Sequence, residues 1–256
     1  MSQGYFYIAI GDEKCLAEAE VSTRSLKRVQ DKLGVSIVTN QASSIQCSEL
    51  YEHIIKVDGT NPNSNNPMFV HWMKPEYINS SPYDKTFFVD TDTYFCLDCN
   101  ELFQLLDYFD ICMCTDFANK QTQPCFKNNK VFSCYRPYNS GVILFNKCAK
   151  TALLFQKWKH NYHNTIGSRP VEKKKRKIFD QRPLAMAVLS TADVKIYTLP
   201  NIYNVRAAKS GIYGKTRILH FRPQHLKATY EEIEKVVNKT GDFRIWNPKK
   251  CECVTI

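Results

Sequence analysis

Asp90 and Asp92 stand one residue apart at the end of an apolar run, T-F-F-V-D-T-D-T from Thr86. Residues i and i+2 of a strand point to one side, so this spacing gathers two carboxylates at a strand end. Two hard oxygen ligands are half of a site for Mg²⁺ or Mn²⁺. Such ions serve phosphorylated substrates, so the chemistry to expect is metal-assisted work on a nucleotide or sugar phosphate. Paired Asp residues also cap turns and helices. The buried-type strand before this pair, and the turn and short helix read over residues 97–106, favour the metal.

A sheet must carry those carboxylates. Residues 5–10 (Y-F-Y-I-A-I) read as a strand ending at Gly11 and Asp12. Leu16, Ala19, Thr23, Leu26, Val29 and Leu33 then recur at helical spacing, Gly34 stops the helix, and residues 35–39 form a second strand. Strand–helix–strand predicts a parallel unit and an α/β fold. Residues 61–67 read as a loop, 68–78 as a helix disturbed at Pro75, and 80–85 as a turn. A strand follows over 110–115, then a long loop over 116–137, then a turn at Tyr138 leading into a strand that runs to Phe145. A helix over 150–163 offers Leu153, Leu154 and Trp158 to the core. Asp180 opens a helix over 179–189 that carries Pro183 in its first turn. Strands over 194–199 and 217–221, an amphipathic helix over 230–237 and an extended tail of the last dozen residues complete the reading. Open α/β sheets bind ligands at the carboxyl ends of their strands. Gly11-Asp12, Asp90/Asp92, Asn139-Ser140-Gly141 and His220 are therefore expected along one edge.

Of 256 residues, 43% are hydrophobic, which supports a sizeable core and excludes global disorder. No apolar run is long enough to span a bilayer, and the N-terminus shows no secretory signal pattern. The eleven cysteines are odd in number and scattered, several within apolar segments. That fits reduced thiols in a cytoplasmic protein; no tetrad closes to hold a structural zinc. The net charge of +10 is partly local, in the run K-K-K-R-K from Lys173 to Lys177. Such a run reads as a solvated loop or as a peripheral contact with an anionic membrane. No nucleic-acid-binding signature accompanies it.

Six blocks, in order, resemble a GT-A-fold glycosyltransferase of the family 8, glycogenin-like group. They are Y-I-A-I-G-D-E-K from Tyr7, K-P-E-Y-I-N-S-S-P-Y-D-K-T-F-F-V-D-T-D-T from Lys74, N-S-G-V-I-L-F-N from Asn139, D-Q-R-P-L from Asp180, L-P-N-I-Y-N from Leu199 and I-L-H-F from Ile218. The resemblance implies a Rossmann-like catalytic domain over residues 1–227. Its nucleotide-binding half covers about 1–98 and its acceptor half about 99–227, and residues 228–256 pack on it as a helix and tail. It implies a nucleotide-diphosphate sugar donor, usually a UDP-sugar, a glycan or glycoprotein acceptor, and Mn²⁺ or Mg²⁺ held by Asp90, Asp92 and His220. An imidazole added to two carboxylates suits Mn²⁺. Donor contacts are expected from Ala9, Ile10, Gly11, Asp12, Lys74, Thr91, Arg222 and Lys227, with Tyr5 a further candidate for the base. Asp180 and Gln181 are expected at the reacting sugar, and Asn139, Ser140 and Gly141 at sugar hydroxyls and the acceptor. One block departs from the family. Many members read H-x-x-G-x-x-K-P-W where this chain reads H-F-R-P-Q-H-L-K, so Pro223 replaces the glycine and Lys227 is displaced by one.

A retaining transfer fits an amide at the reacting face. An inverting route would need a carboxylate base, for which Asp116 and Asp180 are candidates. The same residues admit three other classes: a phosphatase using Asp90 as nucleophile, a nucleotidyltransferase, and a non-catalytic relic that still binds sugar nucleotides.

Overall fold

Strand β1 (Gln3–Ala9) is buried along nearly its whole length and sends alternate side chains to two different cores. Tyr5, Tyr7 and Ala9 enter one cluster, while Phe6 and Ile8 enter the other. β4 (Lys85–Val89) does the same, with Phe87 and Val89 on one side and Phe88 on the other. A sheet buried on both faces needs helices on both faces. Helix α1 (Glu13–Val29) covers the first face with Leu16, Ala19 and Leu26. Helices α3 (Ala149–Gly167) and α4 (Gln181–Ser190) cover the second with Leu154, Phe155, Trp158, Leu184 and Ala187. The computed structural model describes residues 1–59, 72–116, 135–167, 179–239 and 242–255.

The central sheet has seven strands in the order β3-β2-β1-β4-β7-β6-β8. The strands not yet placed are β2 (Gly34–Thr39), β3 (His53–Lys56), β6 (Ile111–Thr115), β7 (Tyr138–Asn146) and β8 (Ile196–Leu199). Only β7 runs against its neighbours; β4 and β6 both pair with it antiparallel, and the other pairs are parallel. This mixed, largely parallel α/β sheet is the expected fold class. From β1 the chain steps outward to β2 on one side and returns to β4 on the other, so the edge beside β1 and β4 is a switch point where such sheets bind ligands. The reversal of β7 brings its first residues to the same edge as the last residues of β4.

A second sheet, β5-β11-β9, lies against that edge. It is made of β5 (Thr93–Phe95), β11 (Ile218–His220) and β9 (Val205–Arg206). β5 leaves directly from the Asp90/Asp92 turn and pairs antiparallel with β11, setting Thr93 opposite His220. The long sequence gap between the carboxylates and the imidazole is closed by this pairing.

Several expectations are revised. Residues 138–141 are not a turn; β7 is already a strand at Tyr138, because pairing with Thr115 and the Asp90 N–H bond to the Gly141 carbonyl take up its backbone groups. The last dozen residues are not a loose tail. β12 (Arg244–Asn247) and β13 (Glu252–Thr255) form a hairpin that pairs with β10 (Ser210–Ile212), anchored by the fully buried Trp246 and Arg244. The Arg244 guanidinium donates to the carbonyls of Val237, Gly214 and Asp242, which accounts for its burial. Leu153 points to solvent, while Leu154 and Trp158 are in the core as expected. The short helix after the carboxylates is a 3-10 helix, Asn100–Asp107. Of the helix read over 68–78, the described part is α2 (Met73–Tyr77), continued as a 3-10 turn to Ser80. The loop of 61–67, most of the loop of 116–137 and the basic run of 173–177 lie outside the described residues. Helix α5 (Tyr230–Val237) keeps its expected bounds, started by a capping box between Thr229 and Glu232.

Candidate functional site

Three side chains converge where β4 ends. His220 Nε2 lies 3.3 Å from Asp90 Oδ2 and 3.4 Å from Asp92 Oδ1. The three ligand atoms fall within 4.8 Å of one another. Each is held by its element: Asp90 by its N–H bond to Gly141, and its carbonyl by the Thr93 hydroxyl at 2.8 Å. That hydroxyl is in turn bonded to Ser22 on α1 at 2.7 Å, and Ser22 to Tyr7 at 2.9 Å. His220 is fixed through its other nitrogen, Nδ1, which is 2.7 Å from Asn204 Oδ1. Asn204 Nδ2 donates to Asn139 Oδ1 at 2.9 Å, and that oxygen also accepts from the Gly141 N–H at 3.0 Å. With Asn204 presenting its oxygen, Nδ1 carries a proton; Nε2 donates to the two carboxylates when the ring is protonated and offers its lone pair to an ion when it is not.

The donor set, two carboxylate oxygens and one imidazole nitrogen, fits an ion such as Mn²⁺. The surrounding backbone fits it too. A side chain on Gly141 would collide with the His220 ring and with Asp90 Oδ2, so only glycine leaves room there. Asn204 is the kind of outer partner that orients a metal-binding imidazole.

A fourth group completes the cluster. Lys74, 7% exposed, places Nζ 2.7 Å from Asp90 Oδ2, 3.5 Å from Asp180 Oδ2 and 3.3 Å from the Ser140 hydroxyl. Burial opposes the charge on Lys74, but Asp180 and Asp90 outweigh it and hold its pKa above the ordinary value. Burial likewise opposes ionisation of Asp90, and Lys74 and His220 reverse the sign, so its carboxyl titrates below the usual range. Asp92 is lowered against its burial by His220, Arg222 and Lys74. His220 loses from burial and gains more from the two carboxylates, ending above its ordinary value.

Asp180 sits at the N-cap position of α4 but makes no cap bond. Its carbonyl accepts from the Trp158 indole, and its carboxylate turns inward to Lys74. Asp180 Oδ2 has no hydrogen-bond donor among the described residues. Gln181, the next residue, donates its amide N–H to Asp116 Oδ2 at 2.6 Å, both groups being buried. A carboxylate only accepts, so this bond fixes which end of the amide is the nitrogen and leaves the oxygen directed elsewhere.

The donor-side expectations divide. Gly11 takes φ +134°, open to glycine, with its N–H on Asn40 and its carbonyl accepting from Gln41. Ala9 and Ile10 are buried in the core, so only their backbone can reach a ligand. Asp12 caps α1, accepting from Cys15 N. Thr91 and Arg222 both meet Glu18 of α1; Arg222 grips it in two places, at 2.5 and 2.9 Å, beside Asp92. Lys227 is exposed, in a left-handed conformation, and makes no ion pair among the described residues. Tyr5 is corrected: it is fully buried, stacked on Phe87, with its hydroxyl on Asn100. Its aromatic neighbours claim it for the core. Glu18, Thr93, Asn204 and Arg206 were not singled out from sequence. Asn204 had a signal, as the last residue of L-P-N-I-Y-N; Glu18 lay on a helix read only for its apolar stripe.

Comparison with solved structures places the fold. The chain superposes on mouse xyloside xylosyltransferase 1 with a TM-score of 0.58 at 16% identity, covering 88% of this chain and 99% of that one. It superposes on the glycosyltransferase GlyE of Streptococcus pneumoniae with a TM-score of 0.51 at 16% identity, over 79% of this chain and 46% of that one. For the bifunctional glycosyltransferase WbbM the TM-score is 0.54 at 16% identity, over 80% and 40%. The chain therefore spans less than half the length of the latter two. These likenesses establish the fold, a GT-A arrangement. By sequence, no family model and no curated protein matches the chain.

Proposed function

We propose that the chain is a metal-dependent glycosyltransferase that moves a sugar from a nucleotide-diphosphate donor, a UDP-sugar, to a glycan or glycoprotein acceptor. The observation that carries this reading is the convergence of Asp90, Asp92 and His220 at the switch edge of a GT-A sheet. Asp90, Asp92 and His220 would hold Mn²⁺ or Mg²⁺. When bound, the ion neutralises charge on the donor diphosphate as the sugar leaves. Gly11, Asp12 and the backbone of Ala9 and Ile10 line the edge where a nucleoside would lie, next to Thr91. Arg222 and Lys227 flank the diphosphate side, Arg222 held in place by Glu18. Lys74 and Asp180 form a charged pair that can bond donor sugar hydroxyls, Asp180 through its unmet oxygen. Asn139 and Ser140 face the sugar beside Gly141.

Retention of configuration is the favoured outcome. Gln181 follows Asp180 at the reacting face, and its amide oxygen is turned away from Asp116. An amide is a weak nucleophile, so its part is to stabilise positive charge developing on the sugar. Asp116 is held by Gln181, which weakens the case for Asp116 as an inverting base.

The test is thermal protection by a panel of nucleotide sugars with and without Mn²⁺, followed by donor hydrolysis. The expected result is protection by UDP-sugars that requires the ion, with slow release of sugar to water. Protection by no nucleotide would sink the reading, and protection without hydrolysis would favour a binding relic.

A further inference from the structure

In the small sheet, Arg206 stands beside His220. The strands run β5-β11-β9, with Thr93 opposite His220 and His220 opposite Arg206. Residues directly opposite in adjacent strands share a face. The alternate residues Tyr94, Leu219 and Val205 go the other way, into a core with Ile233 and Trp246. Thr93, His220 and Arg206 therefore share the other face of the sheet, the one from which His220 reaches Asp90 and Asp92.

Arg206 Nη1 is shut off from solvent and has no hydrogen-bond partner among the described residues. Its guanidinium makes no ion pair among them, although its charge is felt at His220. Guanidinium stays protonated at any working pH, and its donors are rarely left unmet when buried. Two other cations near the cluster are committed, Arg222 to Glu18 and Lys74 to Asp90 and Asp180. α1, which carries Glu18, packs on β5, whereas Arg206 lies on β9, the strand farthest from it. Two residues before Arg206, Asn204 bonds to Asn139. Arg206 thus lies across His220 from the α1 flank and on the side of Asn139 and Ser140.

We propose that Arg206 is an anion subsite on the acceptor side of the cleft, fitted to a carboxylate or phosphate borne by the acceptor sugar. A planar fork of donors suits both groups, since each accepts two parallel hydrogen bonds. The proposal rests on the transferase reading, and its test is separable from that reading. The full chain with Mn²⁺ is titrated with glucuronate, glucose 6-phosphate and glucose by ligand-observed NMR, and with UDP by calorimetry. At least one anionic sugar should bind about tenfold or more tightly than glucose. Arg206→Gln should erase that difference and leave UDP affinity unchanged, and Arg206→Lys, a milder variant should the first not fold, should keep only part of it. A preference for glucuronate identifies a carboxylate, and one for glucose 6-phosphate a phosphate. Equal binding of the three sugars, or a preference that survives in Arg206→Gln, overturns the subsite. Loss of UDP affinity in that variant also overturns it, by assigning the guanidinium to the donor. Failure of the unmodified chain to bind UDP counts instead against the transferase reading.

Discussion

The Lys74 ammonium lies buried 2.7 Å from the Asp90 carboxylate. A fixed positive charge thus touches a carboxylate proposed to hold a cation. Lys74→Met would leave Asp90 and Asp180 buried without that charge. The expected cost is about 3–5 kcal/mol in denaturant unfolding. Mn²⁺ should restore more stability to this variant than it adds to the parent, because the cleft has become more negative. Equal gains in the two proteins would show that Lys74 and the ion do not share Asp90.

Asp92 is the more accessible carboxylate of the pair, with 23% of its side chain exposed against 15% for Asp90. Its removal should therefore disturb packing little. Asp92→Ala is expected to keep the melting temperature of the metal-free protein within a few degrees. It should abolish Mn²⁺-dependent protection and lower donor turnover by at least about 100-fold. Unchanged turnover would reject the metal assignment.

The metal-free protein should lose stability as pH rises above 6.5 and through the raised pKa of His220. His220 is held above its ordinary value of 6.5 in the fold, so its contribution is complete below that value and is lost as pH climbs through the folded pKa. Asp90 and Asp92 act at the other end. Both are lowered from 3.8, so their contribution is present above that value and disappears as pH falls through the lowered ones. His220→Asn should flatten the alkaline limb of a thermal-denaturation series, and a limb that persists in that variant would assign it to another group.

Gln181 and Asp116 form a buried amide–carboxylate bond of 2.6 Å. Asp116→Asn lets the amide turn over, since an Asn can accept or donate. Turnover of donor should drop by about 100-fold while its binding is unchanged, the signature of a misoriented group at the reacting centre. A rise in KM with kcat intact would show that Asp116 serves binding alone.

The fold was legible because its signals are local. The apolar runs of residues 5–10 and 87–89, the helical spacing after Leu16 and the amphipathic pattern over 230–237 each state an element within a few residues. The Asp90/Asp92/His220 cluster was reached through resemblance, because 128 residues separate Asp92 from His220 and only the β5–β11 pairing joins them. Asn139 to Gly141 misled as a turn, since Asn, Ser and Gly favour turns locally and pairing with β4 and β6 overrode that preference. Arg206 and Glu18 carry no local mark at all, and Asn204 only its place at the end of L-P-N-I-Y-N. Their importance comes from what folding sets beside them. The closing hairpin was missed for a similar reason: β12 and β13 are short, and their partner β10 lies more than thirty residues upstream of β12.

Asn204 joins two parts of the molecule that are otherwise addressed separately. Its oxygen dictates the tautomer of the imidazole, and its nitrogen depends on Asn139. If an acceptor drew Asn139 toward itself, the amide of Asn204 could rotate and present a donor to His220, moving the ring proton to the nitrogen that faces the carboxylates. Occupancy on one side of the cleft would then be read as withdrawal of the imidazole's lone pair on the other, through a side chain that touches neither substrate.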